Sequence, residues 1–271
     1  MMKKLNDIKL LIFDIDGTIL IQDENTVTPN VKKALNQAKE NGYEVMIATG
    51  RHFRFIPQEL LDDVDANYLV TVNGGCLVDK NGKVLKQHPM DQEELEKLVK
   101  LCDKSGVAIA FKCKDDIVVY TYYDMFVEGY VGLNSPFAKL LVDDTKNRNY
   151  HKTIGPALGA FLIGDHPTIH KMQDEFPKFT FARSHAVGYD VFMNETTKGS
   201  TVESFLYDNG FTWDNAITFG DAGNDIDMIK RASIGIALGN APHYVQKEAD
   251  FVSDTVENDG VVQALKHFKI I

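Results

Sequence analysis

Two aspartates occupy alternate positions directly after a short apolar run near the start of the sequence. The run at 8–13 (IKLLIF) leads into Asp14 and Asp16, and Gly17-Thr18 follows at once. A carboxylate costs free energy to bury unless a partner offsets its charge. Paired acids at the end of a strand-like run therefore indicate a site that uses them.

Other polar side chains also fall where predicted strands end. They are Thr49, Gly50 and Arg51 after the apolar run at 43–49, and Asp221, Asn224 and Asp225 after the run at 216–220. In an open parallel sheet, ligands bind outside the carboxyl ends of the strands, near the point where the strand order reverses. We therefore expect three segments that are far apart in the sequence to meet at one edge.

Carboxylates gathered at one edge repel each other unless a divalent cation offsets their charge. Oxygen ligands without a neighbouring His or Cys favour a hard ion, and Mg²⁺ is the natural occupant. Mg²⁺ also prefers phosphate oxygens among its remaining ligands. The acids therefore predict both a magnesium site and a bound phosphate.

The neighbouring glycines, hydroxyls and amides are suited to an anion. Gly17-Thr18 can present main-chain N–H groups, Thr49 supplies a hydroxyl at the next strand end, and Asn224 adds a neutral donor. Arg51 either contacts a substrate or pairs with an acid, and the sequence leaves both interpretations open.

Lys198, within ETTKGSTVE, supplies the positive charge that such a site needs. A lysine at the start of a helix is opposed by the helix dipole, so a phosphate partner would explain its position. We expect Ser200 and Glu203 to form a capping box immediately after it.

These residues can meet at one edge of a parallel sheet only if strands and helices alternate along the chain. At 28–42 the segment has the start and stop signals of a helix, with Thr28 as N-cap, Pro29 at the first position and Gly42 beyond the end. Strands are predicted on both sides of it, which is the unit of a parallel α/β sheet. The C-terminal quarter repeats this alternation, with strands predicted at 216–220, 234–238 and 251–254.

The middle of the chain, roughly 82 to 193, has a different pattern. Its predicted strands come in adjacent pairs, among them 108–112 with 117–123 and 178–183 with 188–193, and helices are predicted at 91–104 and 166–175. We therefore expect an α/β fold with a doubly wound, Rossmann-like parallel-sheet core at 1–81 and 194–271, interrupted by an inserted α+β domain at 82–193.

The ordered set of motifs resembles the four signature motifs of the haloacid dehalogenase superfamily of phosphohydrolases. The motifs are Asp14-Ile15-Asp16-Gly17-Thr18, Thr49-Gly50-Arg51, Lys198-Gly199, and Gly220-Asp221 with Asn224-Asp225. The insert after the second motif, preceded by Asn73-Gly74, resembles the Cof-type subfamily. That resemblance implies that residues 82–193 form a cap domain.

The resemblance also implies roles for individual residues. Asp14 would be the nucleophile that forms an aspartyl-phosphate, and Asp16 the general acid and base. Thr49, Gly50, Lys198 and Asn224 would bind the phosphate. Mg²⁺ would be held by the Asp14 carboxylate, the Asp16 main-chain carbonyl and Asp221, while Asp225 would support its water ligands.

The substrate implied is a small phosphorylated metabolite, with sugar phosphates first and phosphorylated cofactors such as pyridoxal phosphate or flavin mononucleotide next. Two alternatives stay open: a phosphotransferase or mutase that uses the same aspartyl-phosphate, and a phospho-acceptor module without turnover. Arg183, His185 and Tyr189 are weaker candidates for contact with the leaving group.

Composition excludes several other classes of protein. The 271 residues carry a formal net charge of -10, which disfavours binding to nucleic acid or to an anionic membrane. Cys76, Cys102 and Cys113 have neither disulfide-framework nor zinc-site spacing, so we expect reduced structural thiols. The short apolar run near the N-terminus ends in acids rather than at a cleavage site, and we expect a cytoplasmic protein. The sequence makes no prediction of oligomeric state.

Overall fold

A computed structural model of the protein describes residues 7–21, 24–184 and 187–271. The chain divides into two compact units. The first comprises Met1–Arg51, Ile56–Leu85 and Thr197–Ile271, and the second comprises His52–Phe55 and Lys86–Thr196. The second unit thus corresponds to most of the predicted insert, although it begins four residues later and also includes the segment that follows Arg51.

The first unit is built on a mixed sheet. Its strands are β1 (Leu10–Phe13), β2 (Glu44–Ala48), β3 (Tyr68–Thr71), β4 (Cys76–Asp79), β5 (Val84–Gln87), β12 (Ala216–Gly220), β13 (Ile234–Ala237) and β14 (Phe251–Val252). The strand order is β14-β13-β12-β1-β2-β3-β4-β5. Pairing is parallel from β14 to β3, and β4 runs antiparallel to β3.

The strand order reverses beside β1. From β1 the chain proceeds through β2 to β3 on one side, and it later returns to place β12 against the other side of β1. In the register, Phe13 faces Phe219, so β1 and β12 end side by side. Asp14 and Asp221 therefore follow the two strands that flank the switch point, where ligands of such sheets bind.

Helices cover this sheet. They are α1 (Pro29–Glu40), α2 (Gln58–Val64), α7 (Lys198–Asp208), α8 (Ile226–Arg231), α9 (His243–Gln246) and α10 (Gly260–His267). The predicted start of α1 is confirmed, since the Thr28 hydroxyl accepts a hydrogen bond from the main-chain N–H of Val31 at 3.2 Å and Pro29 occupies the first turn. Val202 and Phe205 of α7 pack with Ile12 of β1 in one apolar core.

The second unit has its own sheet and its own cores. Its strands are β6 (Ala108–Lys112), β7 (Ile117–Thr121), β8 (Leu141–Asp143), β9 (Gly159–Ile163), β10 (Phe179–Arg183) and β11 (Gly188–Met193), in the order β10-β11-β9-β6-β7-β8. Its helices are α3 (Gln92–Ser105), α4 (Tyr123–Tyr130), α5 (Tyr150–Thr153) and α6 (His166–Gln173). All pairs are antiparallel except β7 with β8.

The predicted fold class, an α/β core with an inserted α+β domain, is confirmed, but the end of one predicted strand was wrong. After the turn at 72–74, the chain also forms the short strands β4 and β5, which the sequence patterns did not predict. The predicted strand at 117–123 ends at Thr121, since Tyr122 adopts a left-handed φ of 50° and α4 begins at Tyr123. In the part of the chain that the structure describes, no helix has the length and apolar character needed to cross a membrane.

Candidate active site

A buried lysine lies among the aspartates at the switch point. The Lys198 Nζ donates to Asp14 Oδ1 at 2.6 Å and to Asp225 Oδ1 at 2.7 Å. The Lys198 side chain is only 1% exposed, and Asp225 is fully buried. The structure therefore brings together residues from the first, third and fourth predicted motifs.

Asp221 completes the cluster. Carboxylate oxygens of Asp14, Asp221 and Asp225 all lie within 4.8 Å of one another. The Asp221 carboxylate accepts from the Thr18 hydroxyl at 3.0 Å on Oδ1 and from the Asn240 side-chain amide at 3.3 Å on Oδ2. Asp221 is thus held in place from the loops that follow β1 and β13.

The protonation of these groups reflects their burial. Burial, and next the charge of Asp225, raise the pKa of Asp221 to about 7, although the Thr18 hydroxyl and the Lys198 ammonium oppose this shift. Burial also raises the pKa of Asp14, although the Lys198 ammonium opposes that shift. For Lys198, burial favours the neutral amine, but Asp14 and Asp225 outweigh it and raise the pKa. The lysine is therefore a fixed cation.

Asp16 lies apart from this carboxylate cluster. Its side chain is 57% exposed, and both of its carboxylate oxygens accept from Arg51, Oδ2 from Nε at 2.9 Å and Oδ1 from Nη2 at 2.6 Å. Of the two interpretations left open for Arg51, the structure shows the pairing with an acid. The Asp16 carboxylate is not among the clustered metal-ligand candidates, and the resemblance assigned the metal to its main-chain carbonyl instead.

Asp225 organises the loop after β12. Its Oδ2 accepts from the main-chain N–H groups of Asp221 at 3.0 Å and Ala222 at 2.9 Å, while its Oδ1 accepts from Lys198. A Cβ added at Gly220 would overlap the Asp225 side chain, so the strand must end in glycine for this carboxylate to fold back. Asp225 therefore links Lys198 to the chain that carries Asp221.

The predicted phosphate-binding residues of the second and fourth motifs meet around Asn73. Thr49 is buried, its Oγ1 accepts from the Arg51 N–H at 3.1 Å, and its carbonyl accepts from the Asn73 N–H at 3.1 Å. The Asn224 side-chain amide donates to Asn73 Oδ1 at 2.8 Å. A Cβ on Gly50 would lie 3.1 Å from that same oxygen, which favours glycine at this position.

Sequence reasoning gave Asn73 no role in the site. The residue is buried and adopts a left-handed φ of 54°. Asparagine is one of the few non-glycine residues that visit this region readily. The Asn73-Gly74 pair was a signal for a turn, but its hydrogen bond to Asn224 depends on tertiary contacts that the pair alone does not encode.

The start of α7 differs from the expected capping box. Thr197, rather than Ser200, is the N-cap: its hydroxyl accepts from the Ser200 N–H at 3.0 Å, and the Ser200 hydroxyl accepts from the Thr197 N–H at 2.9 Å. Glu203 instead accepts from Trp213 and Arg231. The predicted Ser200–Glu203 box was therefore wrong, and Lys198 is the first residue of the helix.

Two glycines with left-handed φ allow segments of the site to lie close to one another. Gly17 has a φ of 76°, and a Cβ there would overlap the Asp221 carboxylate. Gly74 has a φ of 103°, and a Cβ there would overlap the Thr197 carbonyl. Glycine therefore brings the first motif to the fourth and the loop after β3 to the start of α7.

The residues present fit a divalent cation of the hard type. Asp14, Asp221 and Asp225 offer only oxygen ligands, and three clustered carboxylates exceed the single charge that Lys198 provides. The raised pKa of Asp221 is the expected electrostatic consequence of acids gathered in a buried site. Binding of a cation there would stabilise the ionised carboxylates.

Two of the weaker candidates are described within the second unit. Tyr189 is buried in an apolar core, and its hydroxyl contacts His166 Nδ1. Arg183 is exposed at the end of β10. His185 lies outside the described residues.

Cys76, Cys102 and Cys113 are buried and not in disulfides, as predicted.

Comparison with known proteins agrees with this geometry. Residues 11–265 match the family described as haloacid dehalogenase-like hydrolase. A 5-amino-6-(5-phospho-D-ribitylamino)uracil phosphatase of Bacillus subtilis strain 168, YcsE, is 26% identical over 266 residues, covering 97% of this chain and 96% of that protein. The pyridoxal phosphate phosphatase YbhA of Escherichia coli K12 is 26% identical over 272 residues, covering 94% and 96%.

Solved structures show the same architecture. The subclass IIB sugar phosphatase BT4131 is 27% identical, with a TM-score of 0.85 over 97% of this chain and 100% of that one. The family match extends over nearly the whole sequence and includes all four motifs that build the site. The chain therefore belongs to the haloacid dehalogenase-like hydrolases, in the Cof-type group.

Proposed function

We propose that this protein is a Mg²⁺-dependent phosphatase that hydrolyses small phosphorylated metabolites through a phosphoryl-aspartate on Asp14. The observation that carries the proposal is the buried Lys198 ammonium between Asp14 and Asp225. It places a fixed positive charge beside a carboxylate nucleophile, where an incoming phosphate dianion would otherwise be repelled.

In the first step, an oxygen of Asp14 attacks phosphorus while the bond from phosphorus to the ester oxygen breaks. Asp16 gives its proton to the departing alkoxide. The exposure of Asp16 supports this role, because the group can exchange protons with solvent; the bidentate contact with Arg51 orients it and favours its ionised, proton-accepting form.

In the second step, Asp16 takes a proton from a water molecule that attacks phosphorus, and the bond to Asp14 breaks to release inorganic phosphate. Lys198, Thr49 and Asn224 hold the phosphoryl oxygens, with Gly50 allowing close approach. When bound by Asp14, Asp221 and the Asp16 carbonyl, with Asp225 supporting its waters, Mg²⁺ would supply further neutralisation of the phosphoryl charge.

The substrate class follows from the relatives. Their named substrates are a phosphoribityl pyrimidine, pyridoxal phosphate and a sugar phosphate, all small phosphate monoesters. We propose sugar phosphates first and phosphorylated cofactors second. The cap at 82–193, the cytoplasmic location and the lack of nucleic-acid and membrane binding stay predictions.

A panel of phosphate monoesters, assayed with and without Mg²⁺, tests the proposal. We expect hydrolysis that needs the metal and is reduced by about 10³-fold or more in Asp14→Asn and in Asp16→Asn. Robust turnover by Asp14→Asn, with deamidation excluded by mass spectrometry, would refute the nucleophile. Transfer of phosphate to an added sugar in place of water would instead identify a phosphotransferase or mutase.

A further inference from the structure

One short segment contacts both the ammonium of Lys198 and the residue that precedes Lys198 in the chain. Asp225 accepts from the Lys198 ammonium at 2.7 Å. Two residues later, Asp227 accepts through Oδ2 from the hydroxyl of Thr197, the residue immediately before Lys198. The four catalytic motifs do not include Asp227, yet it holds the main chain from which the lysine projects.

The contact between Thr197 and Asp227 determines how the N-cap hydroxyl is used. A hydroxyl has one proton, and here that proton goes to Asp227 while a lone pair accepts the Ser200 N–H at 3.0 Å. A hydrogen bond to a carboxylate is stronger than one between neutral groups. The Thr197 side chain is therefore fixed on both sides, and the first turn of α7 with it.

Asp227 is itself held in position. Its Oδ1 accepts from Arg231 Nε at 2.6 Å, and Arg231 Nη1 donates to Glu203 Oε2 at 2.9 Å. A Cβ added at Gly199 would overlap Asp227 Oδ2. The glycine after Lys198 is therefore required by the position of the Asp227 carboxylate.

The negative charge of Asp227 is also favourable beside the N-terminus of α7. Lys198 carries a buried positive charge at a helix N-terminus, where the helix dipole opposes it. A carboxylate beside the first turn of α7 offsets part of that unfavourable interaction. Three carboxylates thus offset the electrostatic cost of a lysine at this position: Asp14 and Asp225 contact the ammonium, and Asp227 lies beside the first turn of the helix.

We propose that Asp227 is a positioning residue for Lys198. By holding Thr197 at the start of α7, it sets the place of the ammonium between Asp14 and Asp225 and so its contact with the phosphoryl oxygens. This inference rests on the proposed function, in which Lys198 binds the phosphoryl group. A displacement of about 1 Å at such a contact can cost up to about 10²-fold in rate.

The test compares Asp227→Ala and Thr197→Val with a matched control, Glu203→Ala. The control removes the acceptor of Arg231 and Trp213 on the same helix, but it leaves the contact between Thr197 and Asp227 intact. The measurements are p-nitrophenyl phosphate hydrolysis with Mg²⁺, inhibition by inorganic phosphate, and thermal unfolding.

We expect Asp227→Ala and Thr197→Val to lower kcat/KM and to weaken phosphate inhibition, each by about tenfold, whereas Glu203→Ala lowers only the Tm. Thr197→Ser keeps the hydroxyl and should restore both constants to within about threefold of wild type. The double variant should be no worse than either single variant, because both remove the same bond.

Unchanged kinetic constants in a folded Asp227→Ala protein would overturn the inference and leave Asp227 a purely structural residue. If Asp227→Ala does not fold, Thr197→Val decides the question by the same constants. If the wild-type protein neither hydrolyses the ester nor binds phosphate by calorimetry, the proposed function fails and this inference fails with it. Wild-type activity with unaffected variants refutes this inference alone.

Discussion

Lys198 and Asp14 are joined by a 2.6 Å hydrogen bond although they are 184 positions apart in the sequence, and both side chains are buried. Burying either charge without the other is costly, because a lone buried ion loses its hydration without gaining a partner. The contact therefore links the stability of the core to its chemistry.

Lys198→Met should both destabilise the protein and inactivate it. The substitution leaves Asp14 and Asp225 buried without their cation, and breaking a buried pair in this way typically costs about 3–5 kcal/mol. Urea unfolding of the metal-free protein measures the loss. Lys32→Met, which removes a half-exposed partner of Asp63, is the control and should cost less than about 1 kcal/mol. Equal losses in the two variants would contradict the description of Lys198 as a buried ion-pair partner.

Mg²⁺ binding should strengthen as pH rises through neutrality. Burial raises the pKa of Asp221 to about 7, so its folded-state pKa lies above the value of the unfolded chain. The metal-free protein therefore loses stability as pH rises through about 7, whereas a bound cation requires the ionised carboxylate.

Calorimetric titration with Mg²⁺ should show roughly tenfold tighter binding at about pH 8 than at about pH 6. The increase in Tm produced by the metal should grow in the same direction. Asp221→Asn is the control and should bind weakly at both values. Affinity that is independent of pH in the wild-type protein would exclude Asp221 as a ligand that titrates near neutrality.

Acid should destabilise the second unit through His52. Burial lowers the pKa of this histidine from 6.5 to about 4 despite its hydrogen bond with the Cys113 carbonyl at 2.9 Å. A depressed pKa means that the stabilising contribution is present above about 6.5 and is lost as pH falls towards about 4, by up to about 3 kcal/mol.

Unfolding measured from about pH 7 down to about pH 4.5 should show this loss in the wild type, before most carboxylates titrate. His52→Gln keeps a donor for the carbonyl but cannot be protonated, so its stability should depend less on pH over that interval. Parallel curves for the two proteins would rule out His52 as the source.

Gly17→Ala should weaken metal binding more than it weakens the fold. A Cβ at Gly17 overlaps the Asp221 carboxylate, whereas Gly42, with a φ of 91°, has no neighbouring atom within 4 Å of such a Cβ. Both substitutions carry the cost of a left-handed alanine, roughly 1 kcal/mol. Only Gly17→Ala should reduce Mg²⁺ affinity and activity, by about tenfold or more. Equal affinities in Gly17→Ala and Gly42→Ala would show that Asp221 can move aside without consequence.

The convergence of Asp14, Asp221 and Asp225 was predictable because parallel strands end at one edge of the sheet. The ends of the strands and their order along the chain can both be read from the sequence. Because burying a carboxylate is unfavourable, aspartates directly after buried strands indicate a functional site. The alternation of strands and helices, and the helix signals at Thr28 and Pro29, likewise come from local chemistry.

The supporting residues were less accessible to sequence reasoning. Asn73, Asn240 and Asp227 act through hydrogen bonds to residues of other segments. The Asn73-Gly74 pair indicated a turn, but no local signal marked any of the three as a supporting residue of the site. The capping box of α7 was misplaced because Thr197 and Ser200 both have side chains suited to an N-cap, and in the structure Thr197 takes that position.

The strands β4 and β5 and the helix α4 were missed for local reasons. The strands β4 and β5 have only four residues each, too few for a periodic pattern to distinguish them from loop. Helix α4 has no side-chain N-cap hydrogen bond and follows a strand rich in β-branched and aromatic residues. The helix starts after the left-handed backbone of Tyr122, and no feature of the sequence predicts that conformation.

The grouping of residues 52–55 with the second unit has a consequence for protein engineering. His52 bonds the Cys113 carbonyl, and Arg54 bonds the Asp115 carbonyl and the Asp116 carboxylate, so this tetrapeptide folds with the hairpin of the insert. A chimera that exchanges the insert for that of a relative, to alter substrate range, must therefore transplant two stretches of chain. Replacing 86–196 alone would leave His52 and Arg54 without their acceptors, while the segments carrying Asp14, Lys198 and Asp221 would stay in the recipient.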